Sequence, residues 1–138
     1  MNTNKDVILK KVNNYCNDSG NLVVFDYEKD LNKDIKRSFL VNCTKETIRG
    51  RHAHKKLNQF LVCISGICRV IYKDGIAKGE VILENPNQIL KIPNQIWAEQ
   101  HYLKNTSLLV MCDDIYREED YIRDYKLFID FRKNLIKK

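Results

Sequence analysis

The sequence predicts an all-β fold, a double-sheet barrel with a short helix at its C-terminal end. Short apolar segments recur along most of the chain, separated by turn signals such as Asp74-Gly75. Strands that follow one another at this spacing are typical of β-sandwiches and barrels. From about Glu118, apolar residues recur at helical spacing instead, which predicts a C-terminal helix packed on the barrel.

The strand candidates follow one another in a single series, with a turn at 17–20 after the first. They lie at 7–12, 21–27, 37–42, 60–64, 67–72, 81–83, 89–92, 96–102 and 108–112. The polar segment 28–36 connects the second candidate to the third. The predicted helix presents the apolar residues Tyr121, Ile122, Tyr125, Phe128, Ile129 and Leu135.

Composition predicts a single domain over residues 1–138, long enough to bury a core. The formal net charge of +6 comes from scattered lysines and arginines, which favours a solvated surface over nucleic-acid binding. No apolar run approaches a membrane span, and no secretory signal is visible at the N-terminus. The five cysteines have no Cys-x-x-Cys spacing, so a reduced cytoplasm is expected. Neither nucleic acid nor membrane is an expected partner.

One stretch, residues 49–66, carries the residues with catalytic chemistry. His52 and His54 are separated by one residue, so on a strand both rings leave the same face. Gln59 and Gly66 follow at intervals that outline the first motif of the cupins, which are jelly-roll (double-stranded β-helix) barrels. Metal-binding cupins have a glutamate at the position of Gln59.

The second cupin motif bears on metal binding. Its best match is Pro-Asn-Gln-Ile-Trp-Ala at 93–98, which places Ala98 where a metal-binding cupin has its last histidine ligand. Catalytic zinc or iron sites usually need three protein ligands. With two imidazoles, an amide and a methyl group, no metal is expected, and the histidines are free to act as acids and bases.

Four runs resemble the nucleotide-sugar 3,4-ketoisomerases, also called WxcM-like or FdtA-like cupins. They are Arg-Gly-Arg-His-Ala-His-Lys at 49–55, Ile-Lys-Arg at 35–37, Ile-Trp-Ala-Glu at 96–99 and Asp-Tyr-Ile-Arg-Asp-Tyr at 120–125. The likeness covers about residues 7–130. It implies a metal-independent and cofactor-independent isomerase that moves the carbonyl of dTDP-4-keto-6-deoxyglucose from C4 to C3. It also implies a homodimer with exchanged N-terminal strands, in a pathway to a 3-amino-3,6-dideoxyhexose of surface glycans.

The resemblance also implies roles for individual residues. His52 would be the main base, since histidine has an unperturbed pKa of about 6.5. His54 would orient the sugar or assist with the hydroxyl protons. Arg49 and Arg37, with Lys55 third, would bind the diphosphate, because guanidinium groups grip it in bidentate fashion.

The remaining candidates leave alternatives open. Gln59 either hydrogen-bonds the sugar or is a wall residue, and Trp97 either stacks on a ring of the substrate or packs in the core. Glu99 is either a pocket acid or a salt-bridge partner. Ser19 and Ala98 are small where the family often has large polar side chains tied to the C4 epimer of the product.

Three other functions are alternatives to the 3,4-ketoisomerase interpretation. The related 3,5-epimerases also use a barrel histidine, but they pair it with an aspartate and a tyrosine acid in motifs not recognised in this sequence. A non-catalytic cupin that binds a nucleotide sugar is the alternative outside the enzymes. A metal-dependent oxygenase comes last.

Overall fold

The computed structural model describes residues 1–137, and β-strands are its main regular structure. The strands are β1 (Ile8–Lys11), β2 (Asn14–Asn17), β3 (Gly20–Val23), β4 (Arg37–Cys43), β5 (Thr47–His54), β6 (Gln59–Ser65), β7 (Cys68–Lys73), β8 (Lys78–Leu83), β9 (Gln88–Ile92), β10 (Trp97–Tyr102), β11 (Thr106–Cys112) and β12 (Tyr121–Ile122), and the α-helix is α1 (Tyr125–Ile136). The other helical segments are short: the 3₁₀ turns Asn4–Asp6 and Glu118–Asp120 and the π-helical turn Tyr27–Leu31. No helix in this part of the chain is long and apolar enough to cross a membrane.

Two five-stranded antiparallel sheets face each other across one core. The first sheet has the order β1-β9-β6-β11-β4 and the second has the order β12-β5-β10-β7-β8. Alternate residues on each strand point inward, and the apolar ones fill the space between the sheets. Fully buried members are Leu61, Leu90 and Leu108 from the first sheet and Cys68, Val70 and Leu83 from the second. The predicted all-β, double-sheet jelly-roll barrel with a C-terminal helix is confirmed.

The C-terminal helix is shorter than predicted. It begins at Tyr125 rather than near Glu118, and Asp124 caps it by accepting a hydrogen bond from the Leu127 backbone N–H at 3.1 Å. Tyr121–Ile122 instead form a short strand that pairs with the edge of β5. The edge of β5 needs a hydrogen-bonding partner, and this pairing outweighs the helical spacing of the apolar residues.

The helix packs against the outer face of the second sheet. Phe128 is completely buried there with Ala53, Trp97 and Ile122. Arg132 extends from the helix to the backbone oxygens of two separate segments, Asn2 and Gln95. The helix thus fixes the N-terminal segment and the loop before β10 behind the strand that carries the histidines.

The segment before β4 differs from the prediction. The predicted strand at 21–27 ends at Val23, where it forms a hairpin with β2. The apolar residues that follow, Phe25, Leu31 and Ile35, pack on the outside of the first sheet against Phe60. These residues are apolar because they cover the outer face of a sheet. Their apolar character therefore does not indicate that they belong to a strand.

Candidate active site

A β-bulge in β5 decides which side chains enter the barrel. Arg49 lies opposite Gln100 and His52 lies opposite Ala98, so the register shifts by one residue between the two pairs. Arg51 is the extra residue and has a positive φ of 55°. Residues directly opposite each other share a face. Arg49 and His52 therefore both face inward although they are three residues apart, which strict alternation would forbid.

The glycine before the bulge is required by two features. Gly50 has a φ of +83°, and a Cβ built on it would lie 2.3 Å from the side-chain oxygen of Gln100. Gln100 is buried, so its amide has little room to withdraw. The Gly50 position thus fixes the bulge that directs His52 inward.

The two histidines form a compact aromatic cluster with Tyr121. The His52 and His54 ring centroids are 5.0 Å apart with nearly perpendicular planes. The Tyr121 ring lies 5.0 Å from His52 and 4.3 Å from His54. His52 Nδ1 and His54 Nε2 are buried and have no hydrogen-bond partner among residues 1–137. Each histidine therefore has one ring nitrogen that no group of the described chain occupies.

Asp120 holds the second histidine. Its Oδ2 lies 2.9 Å from His54 Nδ1, and its Oδ1 accepts a hydrogen bond from the Lys56 backbone N–H at 2.8 Å. Neither Asp120 nor Tyr121 is among the site residues predicted from the sequence, although both stand in the family-like run at 120–125. The contact spans 66 residues, and it depends on the pairing of β12 with β5, which the predicted helix had hidden.

The surroundings keep both imidazoles neutral at pH 7. Burial, followed by the neighbouring His54, lowers the pKa of His52 to about 4. Burial also lowers the pKa of His54, and the hydrogen bond and charge of Asp120 oppose that effect. The unperturbed pKa of histidine predicts a His52 that is poised near neutral pH. The structure instead makes it a base that is deprotonated throughout the neutral range.

The first sheet supplies the facing wall. Arg37, Cys112 and Gln59 lie opposite one another on β4, β11 and β6, and Cys112 faces the barrel core. The Arg37 guanidinium carbon lies 4.8 Å from the Phe39 ring centroid. The Nη1 of Arg37 is buried and has no hydrogen-bond partner in the described part of the chain. The positive charge of Arg37 also contributes to the lowered pKa of His54. The predicted residues Arg37 and Gln59 thus lie on the inner surface with the histidines.

Two predicted site residues lie outside the barrel. Trp97 packs on Phe128 and Tyr125 of the helix, with ring centroids 5.8 and 5.1 Å away. Its indole N–H donates to Glu99 at 3.2 Å, and Glu99 also lies 3.8 Å from the Lys73 ammonium. Of the alternatives left open, the structure favours core packing for Trp97 and ion pairing for Glu99. It does not bring either residue to the histidines.

The last three predicted residues occupy different places. Ala98 is buried opposite His52 on the inner face, where its methyl group leaves room beside the imidazole. Lys55 is exposed at the end of β5 and lines a cleft with Lys56 and Asp120. Ser19 is exposed at the tip of the β2–β3 hairpin and donates its backbone N–H and hydroxyl to the side chain of Asn17.

The donors of this site do not fit a cupin metal. His52 and His54 could each offer one ring nitrogen, but Gln59 offers only a neutral amide and Ala98 offers no donor. Within the described chain no three His, Cys, Asp or Glu residues are grouped as metal ligands. A three-ligand catalytic metal site cannot be assembled from this set.

Comparisons with known proteins agree with this geometry. The family model FdtA, described as "WxcM-like, C-terminal", matches residues 5–133. The chain is similar to the TDP-4-oxo-6-deoxy-alpha-D-glucose-3,4-oxoisomerase of Aneurinibacillus thermoaerophilus, with 39% identity over 127 residues, 91% of this chain and 89% of the relative.

Two of the solved structures that are similar to this chain cover more than nine-tenths of it. A 3,4-ketoisomerase from Helicobacter canadensis superimposes with a TM-score of 0.89 at 32% identity, covering 93% of this chain and 98% of that one. QdtA, a sugar 3,4-ketoisomerase from Thermoanaerobacterium thermosaccharolyticum in complex with TDP, also has a TM-score of 0.89 and 32% identity, covering 94% and 96%. A histidine-to-asparagine variant of QdtA has been solved with TDP-4-keto-6-deoxyglucose. The chain belongs to the FdtA, or WxcM-like, family of sugar 3,4-ketoisomerases.

Proposed function

We propose that this protein is an isomerase that converts dTDP-4-keto-6-deoxyglucose into the 3-keto sugar, without a metal or a cofactor. The observation that carries the proposal is the pair of adjacent histidines on the inner wall of the barrel, each with one buried ring nitrogen that has no hydrogen-bond partner among residues 1–137. The activity of the relative with 39% identity and the nucleotide-sugar complex of QdtA support the choice of substrate.

The reaction needs proton transfers and no net oxidant. A base removes the C3 proton, the C3–H electrons form a C3=C4 double bond, and the C4 carbonyl oxygen takes a proton to give an enediol. The C3 hydroxyl then loses its proton as the C3 carbonyl forms, and C4 receives a proton. Neutral imidazole accepts and returns protons in this manner. Two adjacent imidazoles can serve the carbon and oxygen atoms of neighbouring positions.

We assign the base to His52 and the oxygen-bound protons to His54. His52 is deprotonated at neutral pH because burial lowers its pKa. Arg37, Arg49 and Lys55 are the proposed cations for the diphosphate. Arg49 and Lys55 are exposed, whereas Arg37 is partly buried close to His54, where its charge also favours an anionic enediol oxygen.

The test replaces the proposed base, His52, and compares it with a replacement of the histidine outside the barrel. We expect His52→Asn to lower turnover by about 10²-fold or more while dTDP binding, measured by calorimetry, is retained. His101→Asn is the comparison variant, because His101 lies on the outer face of β10 near Glu99. His101 also lines the groove proposed below as the dimer interface, so the oligomeric state of the variant is checked by sedimentation velocity before turnover is compared. Turnover in the His52→Asn variant equal to that of the control would remove His52 from the mechanism.

We further propose that the protein is a homodimer and that it acts in the reducing cytoplasm. The five cysteines are all unpaired, which suits a reducing compartment. The outer face of the second sheet carries an open groove lined by Ile48, Ile82 and Leu103, which are 41–52% exposed. Exposed apolar side chains next to charged ones, here Arg51 and Arg69, are typical of an interface. We propose that a second copy of the chain covers it.

Sedimentation velocity tests the dimer. Ile82→Glu should shift the protein from dimer to monomer, because it places a charge in the proposed interface. Leu127→Glu is the control, since Leu127 is exposed on the helix, away from the groove. A wild-type monomer, or an Ile82→Glu variant that remains dimeric, would contradict this interface.

A further inference from the structure

Asp120 is held beside β5 by contacts of its backbone and of its side chain. Two backbone contacts bind this part of the chain to the end of β5. The Lys55 N–H donates to the Asp120 carbonyl at 2.9 Å, and the next residue, Tyr121, pairs with His54. The carboxylate is therefore held at a defined position beside the His54 ring. Both side chains are largely buried, with 12% exposure for Asp120 and 5% for His54.

The contact determines where the imidazole proton lies. A carboxylate can only accept a hydrogen bond, so at 2.9 Å the Nδ1 of His54 must carry a proton that it donates to Oδ2 of Asp120. In a neutral imidazole the other nitrogen is then a bare acceptor. That nitrogen, Nε2, is buried, has no partner among residues 1–137, and belongs to a ring 5.0 Å from that of His52.

We propose that Asp120 is a positioning residue that holds His54 in the Nδ1–H tautomer and makes Nε2 the nitrogen that exchanges protons with the sugar oxygens. This assignment rests on the proposed 3,4-ketoisomerase function and deepens it. When His54 takes up a proton, the same carboxylate stabilises the imidazolium. His52 has no carboxylate hydrogen-bond partner among the described residues, so the two histidines are chemically distinct.

Nearby charges act on the pKa of His54 in opposite directions. The cations of Arg37 and Arg123 disfavour a protonated His54, and Asp120 is the group that favours it. Arg123 is itself neutralised by a two-bond pair with Glu118, at 2.7 and 3.0 Å. Glu118 therefore pairs with Arg123, and Asp120 is the carboxylate that is hydrogen-bonded to the His54 ring.

The test is ¹⁵N NMR of histidine-labelled protein without sugar, which reads the tautomer from the shifts of the two ring nitrogens. We expect wild-type His54 to have a protonated Nδ1 and a bare Nε2. In Asp120→Asn the amide keeps an oxygen for the Lys56 N–H and turns its NH₂ toward Nδ1, so the tautomer should reverse. A wild-type His54 protonated at Nε2, or an unchanged tautomer in Asp120→Asn, would overturn the proposal.

Kinetics connect the tautomer to catalysis. Asp120→Asn should lower kcat on the order of 10²-fold with little change in KM. Asp113→Asn is the matched control, because Asp113 anchors the same loop through two 2.8 Å hydrogen bonds to Asn58 without touching a histidine. Equal kcat losses in the two variants would reduce Asp120 to loop anchoring. Because the NMR measurement needs no substrate, failure of the isomerase assignment can be distinguished from failure of the tautomer assignment.

Discussion

The low pKa of His52 predicts a specific dependence of stability on pH. The group titrates at about 4 in the folded protein instead of 6.5, so between these values the unfolded chain binds the extra proton. The free energy of unfolding must therefore fall as the pH drops from 6.5 toward 4. Between pH 7 and pH 5 this single group should remove about 2 kcal/mol of stability. His52→Asn lacks the titrating group and should lose about that much less over the same interval.

Urea unfolding at fixed protein concentration measures the effect. Trp97, the single tryptophan, is buried and provides the fluorescence signal. Comparing the pH 7 to pH 5 change in wild type with that in His52→Asn cancels the titration of distant groups. Parallel pH profiles for wild type and His52→Asn would show that His52 titrates as an ordinary histidine, and would refute the burial argument.

Three further predictions concern the surroundings of the site. Gly50→Ala should lower the free energy of unfolding by at least about 1–3 kcal/mol, because of its positive φ and the contact with Gln100, and should reduce turnover; a stable, active variant would mean that the bulge is not needed. Phe128→Ala should cost about 3–5 kcal/mol in urea unfolding, since the ring is completely buried; a cost under about 1 kcal/mol would show that the helix is not anchored there. Ala98→Leu should abolish turnover by filling the space opposite His52, with circular dichroism unchanged; full activity would place the sugar elsewhere.

Most of the barrel was predictable from the sequence because inward-facing residues alternate. The strands around Val62, Val70 and Leu108 were found within a residue or two of their observed bounds. The start of the helix was predicted too early because Tyr121 and Ile122 happen to lie at helical spacing from Tyr125 and Phe128. Their conformation is determined by the free edge of β5, which is a tertiary effect.

The site was predictable where residues are close in sequence and was not where they are distant. His52 and His54 share a face because they are two apart on a strand. The inward direction of Arg49 depends on the bulge, and a bulge changes the alternation that a prediction relies on. The partner of His54, Asp120, is 66 residues away. Trp97 points outward because its neighbour Ala98 faces the core, and the helix that buries Trp97 on that face is a tertiary contact.

Proton NMR of the protein with dTDP-4-keto-6-deoxyglucose in D₂O, with a chelator present, tests the central claim most directly. The account predicts that the ketone moves to C3 and that deuterium appears at C4, with the C4 coupling constant reporting the epimer. Deuterium at C5 or C3 with the ketone still at C4 would indicate an epimerase. A sugar that binds and remains unchanged would contradict the assignment of an isomerase.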